Sequence, residues 1–209
     1  LSRIRAWQEF MRRTPRGLSP EAEVGLAGEL AYLDLLLDAG MSATSVVESW
    51  VGPTGGVQDF EIGSGSVEVK ATLSSKGFPA KIGSLEQLDD SFRSPLFIAG
   101  VRFVQGGAGS TLGDMARDFS EKLAATPGAA ADFTDRMVAA GFPPAHYGRY
   151  TRRFSLDSVR VLEVGGDFPR FVPGNVADAI RRVQYELDLD RLPGEGVPIG
   201  EVIERLGFA

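Results

Sequence analysis

Asp59, Glu68 and Lys70 are the residues of this chain whose types and spacing could do chemistry. They lie in Val57-Gln58-Asp59-Phe60-Glu61-Ile62-Gly63-Ser64-Gly65-Ser66-Val67-Glu68-Val69-Lys70-Ala71-Thr72. Two runs interrupted by apolar residues flank a Gly-Ser-Gly-Ser turn, the pattern of a β-hairpin. Side chains alternate faces along a strand, so Glu68, Lys70 and Thr72 share one face and Val67, Val69 and Ala71 the other. Asp59, on the partner strand, can face the same side as Glu68. Two carboxylates placed together offer hard oxygen ligands to a divalent cation. A lysine beside them can orient a water and offset charge building on a phosphate. Glu-x-Lys by itself is also a common solvated strand face carrying an ion pair. The upstream Asp59, the glycine-rich Gly52-Pro53-Thr54-Gly55-Gly56 turn and a helix on either side set this one apart.

The elements that must position these groups are drawn from 209 residues, enough for one sizeable core or one core with an appendage. A hydrophobic content of 43% and a charged content of 24% are those of a globular domain. No run approaches the roughly 18 apolar residues that span a bilayer. No secretory signal pattern is present, and no membrane partner is expected. The absence of cysteine excludes disulfides and thiolate metal sites and suits a reducing, cytoplasmic location. The single histidine, His146, excludes a multi-histidine zinc site and argues against a Ser-His-Asp triad. It follows Pro143-Pro144-Ala145 and reads as a surface loop residue. Any metal must therefore be held by oxygen, which favours magnesium or manganese over zinc.

The formal net charge of −6 counts against a dedicated non-specific DNA binder, which is usually basic. Local clusters soften that objection: Arg3, Arg5, Arg12, Arg13 and Arg16; Arg149, Arg152 and Arg153; Arg181 and Arg182. The chain starts at Leu1 rather than Met, which fits a trimmed piece of a longer parent whose missing segment would change the charge balance.

Residues 1–16 read as a basic helix with Ile4, Trp7, Phe10 and Met11 at helical spacing. Ser19-Pro20-Glu21 is a helix start, with Ser as N-cap, Pro in the first turn and an acid beside it. This helix runs to about Asp38 and stops at Gly40. Leu26, Leu30, Leu33 and Leu37 form its apolar stripe, and Glu29 sits at the margin of that stripe. Gly25 and Gly28 allow close approach of another backbone or a ligand. A first strand is expected over 44–51, and the 57–62 and 66–73 strands follow. Ser84 to Phe92 reads as a short helix, with Gln87 on the side away from Leu85, Leu88 and Phe92. Pro95 to Val104 is a near-continuous apolar run, the mark of a strand buried on both faces. Gly106 to Ser110 reads as a flexible break without a phosphate-loop pattern. Helices are expected at about 111–125 and 129–140, a strand at 159–164, a short helix at 176–182, an edge strand at 183–189 and a last amphipathic helix at 199–206.

This order of helix, three strands, helix and strand, with an acid on the first helix, Asp59 on the second strand and Glu68-x-Lys70 on the third, resembles the PD-(D/E)XK nuclease superfamily. The chain is most similar to the bacterial "PD-(D/E)XK motif protein" family, once catalogued as a domain of unknown function. The stretches that carry the resemblance are Gly25-Leu26-Ala27-Gly28-Glu29-Leu30, Ser49-Trp50-Val51-Gly52-Pro53, Gln58-Asp59-Phe60, Val67-Glu68-Val69-Lys70-Ala71-Thr72 and Ile82-Gly83-Ser84-Leu85-Glu86-Gln87-Leu88, with the tail Val183-Gln184-Tyr185-Glu186-Leu187-Asp188-Leu189. The first acidic motif stands as Gln58-Asp59 rather than Pro-Asp.

The resemblance implies an α/β fold with a restriction-endonuclease-like core, a central mixed β-sheet flanked by helices in the order αβββαβ, and a C-terminal helical and strand extension. The expected divisions are a basic N-terminal helix over 1–18, the remnant of a longer N-terminal region, a nuclease core over 19–105 and an extension packed on it over 106–209. It implies that Asp59 and Glu68 bind the metal with the Val69 carbonyl, that Lys70 positions the attacking water, and that Glu29 is an accessory acid. Gln87 matches a position where related nucleases place a polar residue near the site. The function implied is Mg2+- or Mn2+-dependent hydrolysis of phosphodiester bonds in DNA by an endonuclease, in bacterial anti-phage defence or restriction, with partner proteins of a defence system supplying target choice. Duplex cutters often use two sites, an arrangement that a homodimer would supply. The competing reading is a non-catalytic DNA-binding or assembly subunit on the same fold, motivated by the acidic net charge and the amphipathic end segments. An RNA- or nucleotide-directed hydrolase ranks last, because Phe60, Phe78 and Phe103 form no RNA-binding aromatic motif.

Overall fold

The computed structural model describes residues 17–208. The expected basic helix over 1–16 lies outside them. Helix α1 (Pro20–Asp38) begins where its cap signals place it: the Ser19 hydroxyl accepts from the Ala22 N–H at 3.2 Å, and Pro20 opens the first turn. Beyond its end, Gly40 takes a left-handed φ of +97°. Val24, Leu26, Ala27, Leu30, Leu33 and Leu36 make its buried face. A methyl group at Gly28 would lie 2.7 Å from the Ala71 Cβ, so the helix rests directly on the strand that carries Glu68 and Lys70.

Helix α2 (Ala43–Ser49) occupies the place where a first strand was expected over 44–51. The Ser42 hydroxyl caps it by accepting from the Ser45 N–H at 3.1 Å. Val46, Val47 and Trp50 are fully buried, and that spacing suits one helical face as well as a strand. Over so short a run the apolar pattern does not separate the two, and the cap decides.

The strands are β1 (Phe60–Ile62), β2 (Gly65–Thr72), β3 (Pro79–Ile82), β4 (Leu96–Thr111), β5 (Arg153–Val164) and β6 (Tyr185–Asp188). The main sheet has the order β1-β2-β4-β5 and is mixed: β2 runs parallel to β4, and the other two pairings are antiparallel. Strands β3 and β6 form a separate antiparallel pair. Helices α3 (Leu112–Lys122), α4 (Pro127–Ala139) and α5 (Ile199–Arg205) complete the chain. Val67, Val69, Phe97, Ala99 and Val101 pack in one cluster with residues of all five helices among the described residues. Leu96, Ile98, Leu162 and Val164 pack on the opposite face with Phe78, Ala80 and Ile82 of the β3–β6 layer. Strand β4 is thus buried on both faces at its start, as its continuous apolar run predicts.

The order αβββαβ is not what forms. The segment 84–92 is a series of turns and bends rather than a helix, and β2 reaches its parallel neighbour β4 through β3 and this loop. The Gln87 Oε1 accepts from the Gly83 N–H at 2.6 Å, a local bond that competes with a helical turn. The glycines at 106–109 are not a break: β4 runs through them to Thr111, with a register shift against β5 between Gln105 and Ser110. A methyl at Gly109 would come 2.3 Å from the Phe154 backbone carbon, so the glycine serves a close strand contact. The segment 176–182 holds one turn, with Ile180 N–H donating to Ala177 O, and no helix. Helix α5 sets Val202 and Leu206 into the main core, and the Leu206 carbonyl accepts from the Ser64 N–H in the β1–β2 turn at 3.0 Å.

Candidate active site

The pairing of β1 with β2 ends at Phe60 opposite Val67. One residue earlier the chain has left the ladder, and the Asp59 side chain takes the place of the missing strand. Its Oδ2 accepts from the Val69 N–H at 2.7 Å. The Asp59 carbonyl is held in turn by the N–H groups of Val51 and Gly52, at 2.9 and 3.0 Å. Because N–H and C=O of one strand residue point to the same edge, the Val69 carbonyl is directed to the side on which Asp59 stands.

Glu68 and Lys70 project from β2 toward the β3–β6 layer, opposite Ile98 and Gly100 in register. The Lys70 Nζ donates to Glu68 Oε1 at 2.6 Å. Glu68 is only 2% exposed, and its second oxygen, Oε2, is buried without a hydrogen-bond partner among the described residues. Glu29 arrives from the other layer, on α1. The buried Trp50 ring donates its Nε1–H to Glu29 Oε2 at 2.7 Å. Gln87 reaches the same place from the loop after β3, its backbone held by the buried Gln58, whose Nε2 donates to the carbonyls of Glu86 and Gln87. Glu29, Asp59, Glu68, Lys70 and Gln87 all line one cavity of about 540 Å3.

Acidic groups crowded in this cavity resist ionisation. Burial pushes the Glu68 carboxyl up to about 8; the Asp59 charge adds to the shift and Lys70 opposes it. Burial, then the Asp59 charge, pushes Glu29 up to about 8 against the Trp50 hydrogen bond. Asp59 is raised by burial and restrained by the Val69 N–H and by Lys70. Among the described residues no three His, Cys, Asp or Glu side chains form a ready-made metal cage. The donors on offer are the Asp59, Glu68 and Glu29 carboxylates and the Val69 carbonyl. That all-oxygen set fits a hard divalent cation. So do the unpartnered Glu68 Oε2 and the raised carboxyl pKa values, both of which a cation would relieve.

Reading the sequence left three supporting residues without a role. Trp50 fixes Glu29. Gly52 gives Asp59 room: a methyl there would lie 3.0 Å from Asp59 Oδ1 and 3.6 Å from Glu29 Oε2. Gln58 ties the Gln87 loop to the strand. A tryptophan in a short buried segment needs a partner for its N–H, which was the available hint; the contacts of Gly52 and Gln58 are set by the fold alone.

No protein of curated function and no solved structure matches the chain. The sequence profile of the family described as "Putative PD-(D/E)XK family member, (DUF4420)" matches residues 1–190, which include all the residues of this cavity. The chain belongs to that family.

Proposed function

We propose that this protein is a metal-dependent endonuclease that hydrolyses phosphodiester bonds in DNA. The observation that carries the reading is the hydrogen bond from the Val69 N–H to Asp59, which fixes the aspartate beside the residue between Glu68 and Lys70. Asp59, Glu68 and the Val69 carbonyl would hold Mg2+ or Mn2+, with Glu29 as the accessory acid. When bound, such a cation supplies positive charge at the scissile phosphate and lowers the pKa of a water.

The chain's own groups do the rest. Lys70, mostly buried beside Glu68, donates hydrogen bonds toward the attacking water and the developing phosphorane charge. The water oxygen bonds to phosphorus as the bond to the leaving ester oxygen breaks; the water gives its proton up to solvent, the leaving oxygen takes one from solvent, and no covalent enzyme intermediate forms. Trp50 holds Glu29 in place, and Gln87, its amide oxygen engaged by the Gly83 N–H, lines the same cavity. A role in bacterial anti-phage defence or restriction, with target choice supplied by partner proteins, belongs to the same proposal. So does a homodimer for cutting duplexes.

Two observations favour a second reading, a non-catalytic DNA-binding or assembly subunit: the net charge of −6 and the direct Lys70–Glu68 pair, which occupies one of the ligand oxygens. The test is cleavage of plasmid and linear DNA in Mg2+ or Mn2+ by the wild type, Lys70→Ala and Asp59→Ala. The nuclease reading requires cleavage by the wild type and a fall of about a hundredfold or more in both variants. Metal binding without any cleavage selects the second reading.

A further inference from the structure

Glu29 and Asp59 line a second cavity as well, of about 370 Å3. Apart from those two acids its walls are apolar or backbone: Leu18, Ala22, Leu26, Pro53, Ala139 and Ala140. The larger cavity differs in character, lined by charged groups of both signs: Lys70, Lys81 and Arg152 with Glu21, Glu68 and Glu186. The two spaces share Gly25, Glu29 and Asp59 and no other residue. Each lies within the range of small-ligand pockets, about 300–1,000 Å3.

Gly25 is the residue between them. It sits inside α1, where glycine costs about 1 kcal/mol against alanine. A methyl group added there would meet nothing within 4 Å among the described residues. No backbone conformation demands the glycine, since its φ is not positive. Gly28, three residues on, is explained by its contact with Ala71; Gly25 has no such contact. What its missing side chain leaves is a clear passage above Glu29, which lies one helical turn further along the same face.

We infer, on the nuclease reading, that a substrate strand crosses α1 over Gly25. Its scissile phosphate lies at Glu29 and Asp59, the nucleotide on one side sits in the apolar cavity, and the backbone on the other follows the larger cavity past Lys81, since Arg152 is engaged by Glu23. Apolar walls suit the face of a base lifted out of a stack, and cations suit the phosphates that position it. The occupant is thus a nucleic-acid strand separated from its complement at the site.

The test measures binding of a short fluorescein-labelled single-stranded DNA by anisotropy in Ca2+ buffer, alongside calorimetric titration of Mn2+. The variants are Gly25→Ala, Gly25→Leu and Ala139→Trp. Ala139 is exposed at the end of α4 and is not one of the proposed ligands, so its variant fills the smaller cavity while keeping every acid in the sequence, and the Mn2+ titration reads whether they still bind metal. The expected result is DNA affinity weakened least for Gly25→Ala, which puts a single methyl group in the passage, and about tenfold or more for the other two, with Mn2+ binding by Ala139→Trp unchanged. If Gly25→Leu also loses Mn2+, Ala139→Trp decides. Affinity within about twofold of the wild type in Ala139→Trp overturns the passage and leaves the nuclease reading standing. Wild-type protein that binds a duplex of the same sequence but not the single strand overturns the passage alone; protein that binds Mn2+ but neither DNA overturns both.

Discussion

Trp50 and Glu29 are joined by a 2.7 Å hydrogen bond from the indole N–H to Glu29 Oε2, across 21 residues of sequence and from one helix to the segment after another. The indole is fully buried and packs against Phe133, so its position is set by the core rather than by the site. Trp50→Phe keeps most of that packing and removes the donor. The expected outcome is a stability loss of about 1–3 kcal/mol by chemical denaturation. A further rise of the Glu29 pKa is also expected, because the Trp50 bond is what restrains it.

Asp59→Asn separates charge from architecture. The amide oxygen still accepts from the Val69 N–H, so the edge of β2 stays capped. The negative charge that raises both Glu29 and Glu68 is gone. Both carboxyls should titrate lower, by carboxyl-carbon NMR. Thermal stability at pH 8 should equal or exceed that of the wild type, while DNA cleavage and Mn2+ affinity are lost. A large fall in stability would show that the charge itself holds the strand edge.

Glu29 and Glu68 titrate near 8 in the folded protein, against an ordinary value of 4.5 in the unfolded chain. The folded state therefore binds more protons than the unfolded state between those limits. Without added metal, stability should be highest below about pH 4.5 as far as these two groups are concerned, and should fall as pH rises through about 8. Glu68→Gln should flatten that fall. Mn2+ should reverse it, because a cation favours the ionised carboxylates. Melting temperatures across pH 5–9, with and without Mn2+, provide the check; a metal-free curve that rises with pH would contradict the crowding of these acids.

The two glycines of α1 should respond oppositely to the same substitution. Gly25→Ala gains helix propensity in open space and should stabilise by about 0.5–1 kcal/mol. Gly28→Ala drives a methyl to 2.7 Å from the Ala71 Cβ and should destabilise by about 1–3 kcal/mol. Denaturant midpoints of the two variants measure the contrast directly.

The hairpin, the first helix and the doubly buried strand could be read from residue types, because each carries several signals that agree. Ser19, Pro20 and Gly40 bracket α1; the alternation around Gly63 to Ser66 fixes β1 and β2; the run from Pro95 has the length of a central strand. The proximity of Asp59, Glu68 and Lys70 could be read from the hairpin, but that of Glu29 and Gln87 was accessible only through the order of motifs, since residues from a helix, one strand and two loops share no local pattern. What misled were short segments. Val46 and Val47 prefer strands by type but take a helix behind the Ser42 cap. Leu85, Leu88 and Phe92 have helical spacing, yet Phe92 is 85% exposed and the backbone turns instead. The glycines after Gln105 look like a hinge, but they let β4 pass close to β5.

The seat of α5 has a practical bearing on how this protein is made in pieces. The family profile ends at residue 190, while Val202, Ile203 and Leu206 are built into the same hydrophobic cluster as α1 and β2. Expression trimmed to the profile would strip a plug from beneath the Ser64 turn and uncover oily surface next to the strand that leads to Glu68. Such a fragment should aggregate or melt early, and a lack of activity in it would say nothing about the intact chain.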